Sequence, residues 1–266
     1  MKSSNSKRIK TMIRLFKPIL VALVIIIMMN CRNVNHLIPL VDPTTILANS
    51  DQTTNYIAEY VNFEATFQPL DTEGREFSRK AFLEQIRTGN YLPVKIKSVN
   101  SIYQLYKINM LIEDAPKYYL IDQARQGLFQ LSLIGKEAPK FDFVDLNGNA
   151  YKQKDMEGKI LVMKFWFIGC VACIEEMPAV NKIVDEFHNR KDIVFVSLAS
   201  DNAAKLRKFL KNVTFKYQTV ANADPYMIDS IGTTVFPSHL IIGKDGKIRK
   251  FTTQYAEVEK ELKSLQ

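Results

Sequence analysis

The chain has 266 residues, 47% of them hydrophobic and 24% charged, which is ordinary globular material with enough apolar content to bury a core. Its formal charge of +8 suggests nucleic acid or an acidic membrane, but six of the cations (Lys2, Lys7, Arg8, Lys10, Arg14 and Lys17) fall in the first thirty residues, which hold no Asp or Glu. Without those six, 30 basic side chains face 28 acidic ones, and the support for a nucleic-acid partner disappears.

The basic stretch precedes an apolar run from Ile19 to Met29. Eleven residues suit the core of a secretory signal, whereas a membrane-spanning helix needs about 20. The run ends at Asn30-Cys31, and a Cys in that place resembles a bacterial lipobox, in which the Cys is lipidated and becomes the mature N-terminus. Residues 1–31 are therefore expected to be a signal segment with Cys31 as the lipidation site, which implies export to the cell envelope and attachment to a membrane. The irregular stretch 32–50 is expected to be a tether.

Residues 51–134 are expected to form a small α+β domain. Phe77, Ala81, Phe82 and Ile86 recur at helical spacing, and the alternation in Val94–Lys97 predicts a half-exposed strand. Asp114 and Pro116 open a second helix, with Tyr119, Ile121, Ala124 and Leu128 among its apolar positions. No catalytic signature stands in this segment.

From Gly135 to the C-terminus the pattern changes. Phe141–Leu146, Asn147-Gly148 and Ala150-Tyr151 predict a hairpin around an Asn-Gly turn. Lys159–Trp166 is a nearly unbroken apolar run, as expected for a strand buried on both faces. A helix from about Cys170 to Arg190, a strand at Ile193–Leu198 and a helix at Ala203–Leu210 follow. After a short strand at Gln218–Ala221 come a short helix at Pro225–Ile231, a hairpin of Ser238–Ile242 with Ile248–Thr253, and a closing helix at Ala256–Leu265. Alternating strands and helices ending in an antiparallel hairpin predict an α/β domain over 135–266, with a central mixed sheet flanked by helices and an added N-terminal hairpin.

The stretch Trp166–Pro178 (WFIGCVACIEEMP) carries the chemistry. A strand runs directly into Cys170-x-x-Cys173, which puts Cys170 at a helix N-cap. There, unpaired N–H groups and the positive end of the helix dipole favour a thiolate. Only a thiolate attacks a disulfide, so Cys170 is the expected nucleophile. Cys173, most of a turn further on, is placed to resolve the mixed disulfide. Pro178 should kink the helix. Cysteine usage fits: Cys31 is accounted for by lipidation, and the remaining pair must carry whatever redox chemistry exists. A lone CxxC could also be half of a zinc site, but beyond these cysteines the chain offers only His36, His188 and His239 as nitrogen ligands, and no second CxxC. Neither a metal nor another cofactor is expected.

The segment from Gly135 onward resembles the TlpA/ResA-like branch of the thioredoxin superfamily. The residues that carry the resemblance are Gly135-Lys136-Glu137-Ala138-Pro139 with Phe141, the Phe165-Trp166 strand end before the CxxC, Glu176 and Pro178 after it, and Thr234-Val235-Phe236-Pro237-Ser238 just before a strand. The resemblance implies a thioredoxin-like fold and dithiol–disulfide exchange with protein clients. It also implies a cis Pro237 facing the CxxC and Phe236 presenting backbone groups to a client; Trp166 is grouped with these two among the client-side residues. Reduction is expected over oxidation, with electrons arriving from a membrane thiol carrier; reduction of apocytochrome c thiols and repair of oxidative damage are both family roles. In two places the sequence departs from the family. Gly169 stands where many thioredoxins have Trp, and Lys164 stands near the place of their buried Asp. Lys164 and Glu176 are expected to approach one another under the dithiol as a proton-transfer pair, with Lys164 favouring the Cys173 thiolate and Glu176 taking its proton. The plain alternative has Lys164 snorkelling to solvent and Glu176 on the helix surface. His239, just after the Pro237 loop, could approach the active site, although a strand histidine is more often simply packed or exposed, and His188 is expected on a helix surface. Two rival functions remain. A peroxiredoxin-like peroxidase would share the Gly135–Phe141 opening but needs a Thr where Phe167 stands, and a non-enzymatic copper chaperone would space its cysteines one residue wider.

Overall fold

Polar residues open the helices of the N-terminal half by accepting the free N–H groups of the first turn. In the computed structural model, which describes residues 37–108 and 114–265, Asp42 caps the short helix α1 (Pro43–Ile46), Asn49 caps α2 (Ser50–Tyr60) and Ser78 caps α3 (Arg79–Arg87). Strands β1 (Gln68–Leu70), β2 (Tyr91–Lys95) and β3 (Ile102–Lys107) form a sheet of order β1-β3-β2, with β1 parallel and β2 antiparallel to β3. Tyr56, Ile57, Phe63, Phe67, Phe82, Leu83, Ile86, Leu92 and Tyr103 fill the core between this sheet and the helices.

The stretch 32–50 is not a tether over the part that is described. Pro39 bridges to Ile96, and Ile46 is buried in the core, because its apolar side chains complete a hydrophobic surface that the sheet alone leaves open. Cys31 and the apolar run before it lie outside the described residues. Among the described residues no helix is long and apolar enough to cross a membrane.

Helix α4 (Asp114–Leu133) serves both halves. Leu120 and Ala124 pack on the N-terminal core, while Phe129 and Leu133 pack on the C-terminal one. Tyr119, expected on its apolar face, points outward. Strands β4 (Asp142–Val144) and β5 (Ala150–Lys152) form the hairpin, yet Asn147-Gly148 is not a two-residue turn: Val144 pairs with Ala150, leaving a five-residue loop. The Asp145 carboxylate organises that loop by accepting the backbone N–H groups of Asn147 and Asn149 at 2.8 and 2.9 Å.

A five-stranded sheet of order β10-β9-β6-β7-β8 forms the centre of the C-terminal half, a thioredoxin-like α/β arrangement. Its strands are β6 (Ile160–Trp166), β7 (Ile193–Ala199), β8 (Gln218–Val220), β9 (Ser238–Ile242) and β10 (Ile248–Thr252). Strands β6, β7 and β8 run parallel, and β9 is antiparallel to both β6 and β10. Every residue of β6 is buried, as its apolar run demands of a central strand covered on both faces. Leu161, Met163 and Phe165 face the hairpin and α4. Ile160, Val162 and Trp166 face the opposite layer, which contains the helices α5 (Val171–Glu175), α6 (Met177–Glu186), α7 (Ala203–Leu210) and α8 (Tyr255–Ser264). The expected single helix from Cys170 is two, α5 and α6, because Pro178 sits in the first turn of the second and supplies no N–H to continue the first.

Candidate active site

Where β6 ends, the chain turns through Phe167–Gly169 and enters α5. The turn is held by Asp201, whose carboxylate accepts the Ile168 N–H at 2.7 Å, a contribution not anticipated from the sequence. Gly169 gives the Phe167 ring room: a Cβ there would lie 3.2 Å from a ring carbon. Cys170 is the N-cap of α5, with extended backbone angles, and its Sγ accepts the Cys173 N–H at 3.2 Å. The two sulfurs are joined as a disulfide. Cys170 retains 8% of its surface and Cys173 none, so an incoming group can reach only the first sulfur. Val171, 70% exposed, and the exposed Ala172 form an uncharged rim beside it.

The loop before β9 lies at the same end of the sheet, since Phe165 of β6 pairs with Ser238 of β9. The Phe236–Pro237 peptide bond is cis. Phe236 packs against the cluster that contains both cysteines, and its ring meets that of Phe167 edge-on at 5.6 Å. Trp166 is not a client-side residue. It is wholly buried, because the last position of a central strand lies under α5 and α7, and it packs within the cysteine cluster instead.

Beneath the dithiol, Lys164 does not snorkel. It is 0% exposed on the central strand and its Nζ donates to the carboxylate of Glu176. Glu176 stands between α5 and α6, three residues after Cys173, a spacing that puts two side chains on one helix face. His239, opposite Lys164 on β9, joins them: its Nε2 lies 3.1 Å from Glu176 Oε1. Burial alone would raise the Glu176 pKa, but His239 and Lys164 outweigh it and hold the carboxyl below its ordinary value. Burial lowers the pKa of Lys164 against the pull of Glu176, and it lowers that of His239 in the same way. His188 is exposed on the surface. The place of His239 just after the Pro237 loop allows it to approach the site, and the register of β9 against β6 brings it opposite Lys164. Among the described residues no group of three or more His, Cys, Asp or Glu side chains is placed to hold a metal ion.

The Redoxin family model matches residues 133–265 of the chain. The chain is 31% identical over 116 residues to the thiol-disulfide oxidoreductase ResA of Bacillus thuringiensis subsp. konkukian, a match covering 43% of this chain and 66% of that protein, just under two thirds of its length. It is 30% identical over 127 residues to the ResA of Bacillus anthracis, covering 46% of this chain and 73% of that protein. Among solved structures it is similar to the thioredoxin domain of a thiol-disulfide oxidoreductase from Bacteroides vulgatus, with 23% identity, 49% of this chain and 96% of that one covered, and a TM-score of 0.45.

Proposed function

This chain belongs to the Redoxin family, in the ResA-like branch of the thioredoxin superfamily, and from that footing we propose that it exchanges its Cys170–Cys173 dithiol with disulfides of envelope proteins, acting as a reductase. The observation that carries the reading is the bonded sulfur pair at the start of α5, with one sulfur reachable and the Phe236–Pro237 loop packed beside it.

In the reductive direction the Cys170 thiolate attacks one sulfur of a client disulfide. The client S–S bond breaks, and its other sulfur leaves as a thiolate and takes a proton. Cys173 then gives its proton to Glu176, and its thiolate attacks Cys170 Sγ. The mixed bond breaks, the second client sulfur leaves reduced, and two electrons have passed from the protein dithiol to the client. The helix N-terminus stabilises the Cys170 thiolate, since Val171-Ala172 offer no polar side chain to do so. Lys164 favours charge on Cys173 and keeps Glu176 ionised to receive the proton. Phe236 and Pro237 shape the groove in which an extended client segment lies. A membrane dithiol carrier returns the electrons, and a lipidated Cys31 would keep the protein at the membrane where that carrier resides. The division into an N-terminal unit, which reaches back at least to Pro39 and ends near residue 134, and a redox unit from Gly135 is part of the same reading.

Insulin reduction in the presence of a thiol donor tests the activity. The wild type should accelerate it, Cys170→Ser should abolish it, and Cys173→Ser should accumulate a mixed disulfide with the client. A wild type that neither reduces insulin nor equilibrates with glutathione, but binds copper(I) stoichiometrically, would replace this reading with the chaperone.

A further inference from the structure

His239 lies in a row of buried polar residues that crosses all five strands of the central sheet in register. Thr219 of β8 pairs with Ser197 of β7, Ser197 with Lys164 of β6, Lys164 with His239 of β9, and His239 with Thr252 of β10. All five are buried. Three members explain themselves: Ser197 Oγ donates to Thr219 Oγ1 at 3.0 Å, and Thr252 Oγ1 donates to Glu64 Oε2 at 2.9 Å. His239 does not. Its Nδ1 has no hydrogen-bond partner, and its one polar contact is Nε2 against Glu176 Oε1 at 3.1 Å, an ion-pair distance lacking the alignment of a full hydrogen bond. A purely structural imidazole at this depth would have both nitrogens satisfied or be replaced by an apolar side chain, because burying an unpaired polar atom is unfavourable.

We infer that His239 is a positioning residue for the exchange reaction: through Nε2 it fixes the Glu176 carboxylate in place and in its ionised form, ready to take the proton of Cys173. This inference rests on the proposed role of Glu176. Lys164 and His239 contact the same oxygen, Oε1, from two neighbouring strands, and together they restrain the carboxylate more than either could. The remaining groups facing this site are consistent with the assignment. Tyr217, just before β8, is buried near Glu176 with its hydroxyl unpartnered, and burial pushes its pKa up, so it stays neutral. Glu64, from the loop after α2, reaches the ring's outer side only through Thr252 and favours a proton on it, while burial and Lys164 disfavour one. Burial prevails and favours the neutral ring; with the Glu176 carboxylate facing Nε2, the proton is assigned to that nitrogen, the form that donates to a carboxylate.

The test uses the full chain with its glutamate carboxyl carbons isotopically labelled, and reads two quantities: the pKa of Glu176 by nuclear magnetic resonance, and the pH dependence of the dithiol's reduction potential against glutathione, followed by Trp166 fluorescence. Because the His239 contact lacks the alignment of a full hydrogen bond, His239→Leu should raise the Glu176 pKa by about one unit, a tenfold weaker acid, and move the matching inflection in the potential by the same amount. His239→Asn, whose amide cannot reach Oε1, should do likewise and stands in if the leucine variant does not fold. His239→Gln places a donor where Nε2 was and should restore both readings to within about 0.3 unit, since about 0.4 kcal/mol separates them there. In a Glu176→Gln background, adding His239→Leu should leave the potential curve unchanged. Unmoved titrations in the Leu and Asn variants, or equal shifts in Gln and Leu, overturn the inference. Failure of the wild type to equilibrate with glutathione would instead overturn the proposed function.

Discussion

Replacing Lys164 by methionine removes the cation from a buried pair while keeping most of its volume. Glu176, itself buried, then retains only His239 against the cost of its own desolvation. Breaking a buried pair by deleting one partner destabilises by about 3–5 kcal/mol, and the surviving contact puts the expectation at the lower end, about 3 kcal/mol at pH 7. The pH dependence supplies the sharper check. In the wild type the Glu176 pKa lies below the unfolded value of 4.5, so its contribution is present above that pH and is lost as pH falls through the folded pKa. In Lys164→Met, burial wins over the single remaining contact and the folded pKa rises above the unfolded one. The penalty is then fully present above the raised pKa and fades as acidification protonates the carboxyl, so the sign of the slope reverses. Urea unfolding of the oxidised protein at a series of pH values, followed by Trp166 fluorescence, measures both effects. Adding Glu176→Gln should recover most of the loss, since no charge is then left unpaired. A deficit below about 1 kcal/mol, the range of exposed ion pairs, with a slope matching the wild type, would refute a coupled buried pair.

Asp145→Ala should cost about 2 kcal/mol by freeing the N–H groups of Asn147 and Asn149, with amide exchange accelerating at those two residues. Burial acts to raise the Asp145 pKa, but hydrogen bonds from Asn149, Asn147 and Tyr151 hold it below 3.8. Its contribution should therefore persist down to that pH and vanish only as pH falls through the lowered folded value, a loss the alanine variant lacks. Gly127→Leu should destabilise by about 1–3 kcal/mol through overpacking, read as a lower urea midpoint at unchanged slope; even a Cβ at Gly127 would lie 2.9 Å from Leu83 Cδ1. Glu64→Ala removes the carboxylate that binds Thr252 Oγ1, the Thr253 N–H and Thr253 Oγ1, linking the loop after α2 to the end of β10. A loss of about 1.5–3 kcal/mol is expected, with faster amide exchange at Thr253.

Much of the C-terminal half was legible because each signal is local. The apolar run of β6, the cysteine at a strand-to-helix transition and the proline that splits α5 from α6 act through a few consecutive residues. The N-terminal half was read less well. Strand β1 is three residues long and carries no periodicity, and Ile102–Lys107 alternates only through Tyr103 and Leu105 before ending in exposed Tyr106 and Lys107. The helices α1 and α2 fall in and just after the irregular stretch 32–50, where Asp42 and Asn49, their caps, are the local signals. The hairpin stands where the Asn-Gly signal puts it, but its loop is longer because Asp145, rather than the Asn-Gly pair, sets the geometry.

The dithiol, its place at a helix start and the possibility of a Lys164–Glu176 pair can be read along the chain, since these depend on spacing along one strand and one helix. The burial of Lys164, the enclosure of Trp166 and the meeting of His239 with the same carboxylate arise from packing between elements distant in the chain. Those outcomes depend on strand register: the pairing of β6 with β9 sets Lys164 opposite His239, and a shift of one residue would turn the imidazole to the other face of the sheet.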